Sequence, residues 1–126
     1  MDANILFSAA YRRDAELRNL WKLSKVNLVT SLYAVEEARR NLDTEEQIKD
    51  LDAFLQNIEV ASAAPEDRPI ALARKLPDKD RPILLAAIAA RATHLLTGDY
   101  KHFGPLYGKA IEGVLILPPA EFFRLF

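Results

Sequence analysis

The stretch HLLTGDYKHFG, residues 94–104, contains an apolar run that stops at a glycine and is followed by an isolated acid, Asp99. Short runs of β-branched and other apolar residues that end at turn-forming residues are typical of buried strands. Three further runs have this character. The sequence therefore predicts strands over residues 26–31 (VNLVTS), 57–61 (NIEVA), 93–98 (THLLTG) and 113–117 (GVLIL).

Apolar residues recur at helical spacing between the predicted strands. The sequence predicts helices over residues 13–23, 32–42, 43–56, 65–76 and 80–92. Strands that alternate with helices form parallel sheets whose two faces are covered by helices. The predicted fold class is therefore α/β, a three-layer α/β/α sandwich with a central, mainly parallel sheet, in one domain over residues 1–126.

The composition narrows the classes of function. Half of the 126 residues are hydrophobic, and the net charge of −1 does not indicate a strongly basic surface for nucleic acid or an anionic membrane. The chain has no cysteine, which excludes disulfides, thiolate chemistry and cysteine-bound zinc, and we expect a cytoplasmic location. The longest apolar run is too short to span a bilayer, the N-terminus does not resemble a signal peptide, and no glycine-rich phosphate loop is present.

Acidic residues lie where a ligand site is expected. In open parallel sheets, ligands bind beyond the carboxyl ends of the strands. Several acids follow a predicted strand, precede the apolar helix or stand at the start of the chain. They are Asp2, Glu36, Glu37, Asp78, Asp80 and Asp99.

Four stretches of the chain together resemble the PIN-domain proteins, a family that includes the VapC-type toxins of bacterial toxin–antitoxin pairs. The stretches are MDANILFSA (1–9), SLYAVEEARRNL (31–42), DKDRPILLAAIAARATHLLTGD (78–99) and GVLILPPAEFF (113–123). The resemblance implies a three-layer fold with clustered carboxylates that bind Mg²⁺ or Mn²⁺ and hydrolyse RNA phosphodiester bonds. It also implies an antitoxin protein as partner and a homodimer, whereas the short apolar runs predict no membrane partner.

The resemblance assigns roles to individual residues. The four metal-binding and catalytic acids would be Asp2, Glu37, Asp80 and Asp99. Asn4 and Thr97 match polar positions that support these acids. The candidate phosphate contacts, chosen because they lie close to the acids in the sequence, are Arg39, Arg40, Lys101 and His102.

The chemistry explains why such a residue set is needed. Mg²⁺ prefers oxygen ligands and keeps several of its waters. Carboxylates can therefore hold it while leaving room for a phosphate and a nucleophilic water. An acidic cleft repels an RNA backbone, so the metal and flanking cations must supply the attraction.

Each acid also has a simpler interpretation. Asp80 could be only a helix N-cap, and Asp99 only a turn residue. Glu36 is four residues before Arg40, a spacing that gives a weak surface ion pair. The ordered set of acids favours the metal site. For the second acid, helix geometry brings Glu36 closer to the apolar stripe, whereas the family spacing selects Glu37.

The start of the chain departs from the family pattern, because only Met1 precedes the first acid. Either Ile5-Leu6-Phe7 takes the role of the central strand, or a strand segment is missing upstream. Two other functions remain open. One is a non-catalytic RNA-binding or protein-interaction domain with a vestigial acidic site. The other is a phosphatase with a D-x-D motif, although the chain has Asn4 in place of the second Asp.

Overall fold

A computed structural model describes residues 1–12, 14–61 and 76–125 of the chain. The predicted helix over residues 65–76 lies outside this part, apart from its last residue. The elements are α1 (Ala3–Tyr11), β1 (Val29–Ser31), α2 (Leu32–Asn41), α3 (Glu45–Leu55), β2 (Glu59–Ala61), α4 (Arg81–Ala89), β3 (His94–Leu96), α5 (Tyr100–Phe103), β4 (Ala110–Ile111), β5 (Val114–Leu117) and α6 (Pro119–Leu125), with 3₁₀ helices over Glu16–Lys22 and Gly104–Leu106.

The strands pair mainly in parallel, which confirms the predicted α/β class. β1 pairs with β2, with Thr30 opposite Val60. In a second sheet β3 pairs with β5, with Leu95 opposite Ile116, and the short β4 is antiparallel to β5. The four predicted strands are all present, although each is shorter than the apolar run that predicted it.

The strands of the second sheet are buried on both faces. Along β5, Ile116 packs into one apolar core, whereas its neighbours Leu115 and Leu117 pack into the other. Leu95 and Leu96 of β3 are divided between the same two cores. Because successive side chains of a strand point to opposite faces, the sheet lies between two packed layers, as predicted.

The helices around the site begin where the sequence provides a cap. The Ser31 side chain accepts a hydrogen bond from the backbone N–H of Ala34 and starts α2. Thr44 and Gln47 form a capping box at the start of α3. Each such cap stabilises its helix by about 1 kcal/mol. No helix among the described residues is both long and apolar enough to cross a membrane.

The first residues form a helix rather than a strand. The Asp2 side chain caps α1, and Ile5 and Leu6 on that helix are almost completely buried. The suggestion that Ile5-Leu6-Phe7 forms the central strand is therefore wrong, because the cap commits these residues to helical geometry. The predicted helix over residues 13–23 is also corrected, to the 3₁₀ helix Glu16–Lys22.

Met1 and Asp2 connect the two sheets. The Met1 nitrogen donates a hydrogen bond to the carbonyl oxygen of Val29 at 2.8 Å. The Asp2 backbone N–H donates to the carbonyl oxygen of Leu96 at 3.0 Å. These two residues therefore lie between β1 and β3, and they bring the Asp2 side chain to the carboxyl ends of both strands.

Candidate metal centre and active site

Two acids and a histidine form the tightest cluster of possible metal ligands in the described part of the chain. One ligand atom from each of Asp80, Asp99 and His102 lies within 4.8 Å of the others. His102 Nδ1 is 2.8 Å from Asp99 Oδ2 and 3.1 Å from Asp80 Oδ2. The short helix α5 produces this contact, because the Asp99 carboxylate accepts the backbone N–H of His102 and turns the chain back.

Asp80 has an unsatisfied oxygen. Its Oδ2 is buried and accepts no hydrogen bond from the residues that the structure describes, although His102 Nδ1 is nearby. This ring nitrogen can donate at most one proton, and Asp99 Oδ2 is the nearer of its two neighbouring acceptors. Asp80 occupies the N-cap position of α4, but its side chain makes no capping hydrogen bond. Helix capping therefore does not explain why this acid points into the cluster.

Asp2 is held by a network that reaches the end of β3. Its carboxylate accepts hydrogen bonds from the hydroxyl of Thr97 at 2.8 Å and from the amide of Asn4 at 3.2 Å. The Thr97 hydroxyl oxygen also accepts the backbone N–H of Asp99 at 3.1 Å. The Asn4 side chain in turn accepts the backbone N–H of Gly98 at 2.9 Å. Asn4 and Thr97 thus orient acids from opposite ends of the chain.

Glu37 faces the other acids from helix α2. Its pKa is raised, first because it is partly buried and then because of the negative charges of Asp2 and Asp80. Glu36, one residue earlier on the helix, is exposed. The structure therefore places Glu37 in the electrostatic neighbourhood of the cluster. Asp2 and Glu37 lie outside the tight group formed by Asp80, Asp99 and His102.

The site disfavours an accumulation of negative charge. Burial raises the pKa of Asp2, and the charge of Asp80 raises it further, against the lowering effect of its hydrogen bonds. Burial also raises the pKa of Asp80, and the charge of Asp99 adds to the rise, whereas the charges of His102 and Lys79 oppose it. A cation placed among these groups would reduce the repulsion between the carboxylates. It would also give the buried Asp80 Oδ2 a partner.

The candidate phosphate contacts differ in their surroundings. Arg39 is 2.7 Å from Asp52 in an exposed ion pair. Arg40 lowers the pKa of Glu37, so it lies near the acidic cluster. Lys101 is exposed on α5. His102 contacts the acids directly and is therefore not simply exposed in the loop after Asp99.

Two residues near the site were not identified from the sequence. The Tyr107 hydroxyl donates to the carbonyl oxygen of Thr97 at 2.7 Å and braces the end of β3. Lys79 lowers the pKa of both Asp80 and Glu37, so it is a cation beside the cluster. In the sequence, only the position of Lys79 between Asp78 and Asp80 indicated that it could lie near the acids. Tyr107 lies in a different loop, and nothing in the sequence indicated that it lies near the site.

Comparison with known families agrees with this geometry. The sequence model of the PIN domain matches residues 1–101. The chain belongs to the PIN domain family. Comparisons of this PIN domain with curated proteins and with solved structures give no match. PIN domains are generally nucleases, and this one has an acidic cluster formed by Asp80 and Asp99 with His102.

PIN nucleases usually use divalent metals, and the residues of this site fit such an ion. Carboxylate oxygens dominate the set, as a hard cation requires. The buried Asp80 Oδ2 has an unused lone pair that points into the cluster. Asp80, Asp99 and His102 form the group that could hold such an ion.

Proposed function

We propose that this PIN domain is an Mg²⁺- or Mn²⁺-dependent endoribonuclease that hydrolyses RNA phosphodiester bonds in the cytoplasm. The observation that carries the proposal is the buried, unsatisfied Oδ2 of Asp80 beside Asp99 and His102. A buried oxygen without a partner destabilises the folded protein unless a cation or a hydrogen-bond donor contacts it. Such an arrangement is typical of functional sites rather than of structural cores.

The side chains of the site would take distinct roles. Asp80 and Asp99 would hold the ion, with Asp2 and Glu37 completing its surroundings directly or through water. When bound, a divalent ion polarises a phosphoryl oxygen and lowers the pKa of a bound water. The acids, with raised pKa values at Asp2, Glu37 and Asp80, can accept a proton from an attacking water.

Cations at the rim would attract the RNA backbone. Lys79, Arg40 and Lys101 flank the acids, and each can contact a phosphate without entering the metal site. Arg39 is the weaker candidate because Asp52 already pairs with it, although an exposed pair of this kind contributes little and can be exchanged for phosphate.

A fluorogenic RNA provides the direct test of the proposed activity. We expect cutting that needs Mg²⁺ or Mn²⁺, that stops with EDTA, and that falls roughly 100-fold or more in the Asp80→Asn and Asp99→Asn variants. The exposed neighbour Asp78 provides a matched control, and Asp78→Asn should keep full activity. RNA binding without metal-dependent cutting would instead support a non-catalytic domain with a vestigial site.

We propose further that the protein is the toxin of a type II toxin–antitoxin pair, in which the antitoxin covers the acidic cleft, and that it forms a homodimer. Induced expression should arrest growth, the Asp80→Asn variant should not, and the product of the adjacent reading frame should relieve the arrest. Growth arrest by both the active and the Asp80→Asn forms would contradict this role. Sedimentation over a range of concentrations tests the dimer.

A further inference from the structure

Tyr100 is the most exposed large apolar side chain in the described part of the chain, with a relative exposure of 79%. It follows Asp99 directly and begins α5, the short helix that carries His102. Isolated exposed apolar residues are common on protein surfaces and need no explanation. Tyr100 differs from such residues, because it stands beside the acids that could hold the metal and because its neighbours give the ring a defined seat.

One face of the Tyr100 ring lies against Gly104. A Cβ added at Gly104 would lie 3.3 Å from Cδ2 of the ring, 3.4 Å from Cγ and 3.5 Å from Cε2. Nearly equal distances to three adjacent ring atoms place that position over the face of the ring rather than beside its edge. The Gly104 backbone is helical, with φ of −50° and ψ of −44°, so its conformation does not require glycine. The missing side chain therefore leaves room for the ring, whose high exposure leaves the opposite face open among the described residues.

Tyr107 stands beside the ring and connects it to the acids. The centroids of the two tyrosine rings are 6.2 Å apart, at an interplanar angle of 52°. The Tyr107 hydroxyl donates to the carbonyl oxygen of Thr97. Burial raises the pKa of Tyr107, and the negative charges of Asp99 and Asp2 raise it further. The pair of tyrosines therefore borders the acidic cluster.

An open aromatic face in this position suits a nucleobase. Proteins that hold single-stranded nucleic acid combine cations for the phosphates with aromatic rings on which bases stack. Lys101 follows Tyr100 and is exposed on the same short helix, so α5 offers both kinds of group side by side. The Cα atoms of Asp99 and Tyr100 are about 3.8 Å apart, as across any trans peptide. A nucleotide whose phosphate lies at the acids can therefore bring its base to the ring.

We propose that Tyr100, seated on Gly104, is a platform on which one base of the RNA substrate stacks, in a nucleotide next to the phosphate that is cut. This inference rests on the proposed nuclease function and adds to it a residue that binds a base. Every base has a face that can stack, so the platform tolerates any base. It requires an unpaired base, because the bases of a duplex are already stacked on their neighbours.

A nucleobase fits this surface better than a protein partner does. Aromatic residues that dominate protein interfaces lie at the centre of well-packed patches from which water is excluded. The sequence neighbours of Tyr100 are instead charged or polar, namely Asp99, Lys101 and His102. Stacking of a base needs only one open face and tolerates such neighbours.

Cutting of a single-stranded fluorogenic RNA in Mn²⁺ tests the platform. Tyr100→Ala should lower kcat/KM roughly 5- to 100-fold, the range expected for the loss of one stacked base. Tyr100→Trp should stay within about 3-fold of the unsubstituted protein, because indole offers an equivalent face. Tyr11 is an exposed tyrosine at the end of α1 remote from Asp2, so Tyr11→Ala serves as control and should leave kcat/KM unchanged.

An abasic nucleotide shows whether the ring contacts a base. At one position next to the cut, removal of the base should lower kcat/KM of the unsubstituted protein by the same factor as Tyr100→Ala. The Tyr100→Ala protein should cut this abasic RNA and the intact RNA equally well, since the stacking is already lost. Gly104→Ala places a Cβ against the ring and should lower kcat/KM several-fold, but not in the Tyr100→Ala background.

Binding without cutting separates this inference from the nuclease proposal. In the Asp80→Asn background, which removes the proposed cutting, fluorescence anisotropy of the labelled RNA measures its dissociation constant. Addition of Tyr100→Ala should raise that constant roughly 5- to 100-fold. Binding that depends on Tyr100 in a protein that never cuts RNA would support the platform and contradict the nuclease.

Three results would overturn the proposal. The first is RNA affinity and cutting that are the same in Tyr100→Ala as in the unsubstituted protein. The second is an equal loss in Tyr100→Ala for the intact RNA and for every abasic RNA, because the ring would then contact no base. The third is a Tyr100→Ala protein that binds RNA normally but binds the product of the adjacent reading frame more weakly, which would make the ring a protein contact.

Discussion

At the scale of single residues, the acids of the site are held in surroundings that oppose their charge. Burial raises the pKa of Asp80, so the folded protein keeps a proton there at pH values where the unfolded chain has lost it. At this residue the folded state then binds more protons than the unfolded state. The contribution of Asp80 to the stability of the metal-free protein should therefore decrease as the pH rises above about 4, the ordinary pKa of an aspartate.

Substitution of Asp80 tests this pH dependence. In EDTA at pH 7, Asp80→Asn should melt roughly 2–5 °C above the unsubstituted protein, and the difference should shrink towards pH 4. Differential scanning fluorimetry across this range measures both effects. The exposed Asp78→Asn serves as control and should not change the melting temperature. A variant that melts lower than the unsubstituted protein at pH 7 would contradict the prediction.

Thr97 is the residue on which two acids depend. It is completely buried, donates to Asp2 and accepts the backbone N–H of Asp99. Thr97→Val keeps the shape of the side chain but removes the hydroxyl that bonds the Asp2 carboxylate and the Asp99 backbone N–H. We therefore expect a loss of about 1–3 kcal/mol in the free energy of unfolding. Metal affinity should fall roughly 10- to 100-fold, because the acids lose their orientation.

Urea denaturation and Mn²⁺ titration measure the two effects of Thr97→Val. Thr93 is exposed at the other end of the same strand, so Thr93→Val controls for the change of residue type. Unchanged metal affinity together with reduced stability would mean that Thr97 serves the fold alone.

The resemblance to PIN-domain proteins and the order of the acids named Asp2, Glu37, Asp80 and Asp99 as site residues. The structure brings Asp80 and Asp99 together beside His102, and Asp2 and Glu37 lie outside this tight group. The contact of His102 with two acids was not predictable, because it depends on how α5, a helix of only four residues, turns the chain. The family spacing selected Glu37 rather than Glu36, and in the structure Glu36 is exposed whereas Glu37 is partly buried.

At the scale of elements, short sequence patterns indicate whether residues near the two ends of the chain form a helix or a strand. Asp2 occupies the N-cap position of α1, and the apolar triplet Ile5-Leu6-Phe7, which could have formed a strand, is part of that helix. Strand β4 was not predicted, because two residues of ordinary composition give no periodicity. The runs that form β3 and β5 were predicted because they are apolar throughout and end at glycine or proline.

The turn between β4 and β5 allows a prediction about stability. Its two central residues, Glu112 and Gly113, have φ values of +51° and +84°. This turn geometry favours Asn-Gly, and glutamate rarely adopts a positive φ. Glu112→Asn should therefore raise the free energy of unfolding by about 0.5–1 kcal/mol. Gly113→Ala should lower it, although no atom would obstruct the added Cβ.

The urea midpoints of both turn variants measure these changes. The proposed nuclease activity should stay the same, since no hydrogen bond or ion pair among the described residues joins Glu112 or Gly113 to the acids. If Glu112→Asn lowered the free energy of unfolding, Glu112 would make a contact that stabilises the fold more than the backbone preference of asparagine does.

At the scale of the whole molecule, the site joins regions that are separate in the chain. Asp2 and Thr97 are 95 residues apart, and Glu37 and Asp80 come from helices between them. The sequence predicted this convergence through the rule that parallel strands end at one edge of a sheet and through the resemblance to PIN-domain proteins, which implies clustered carboxylates.

Metal binding should stabilise the whole fold, because the ion ties these regions together. At a Mn²⁺ concentration 100 times the dissociation constant, the gain is about 2.7 kcal/mol. Thermal melting at increasing Mn²⁺ should rise for the unsubstituted protein and stay flat for Asp99→Asn. The same rise in both proteins would locate the bound ions away from the acidic cluster.

The hydrogen bond between Asp2 and Thr97 has a consequence for biosynthesis. Asp2 lies 95 residues before Thr97, whose hydroxyl orients it. A nascent fragment that ends before Thr97 has neither that hydroxyl nor Asp99, so it cannot assemble the pocket. Under the proposed ribonuclease activity, a ribosome that is still translating this region would therefore carry no active site.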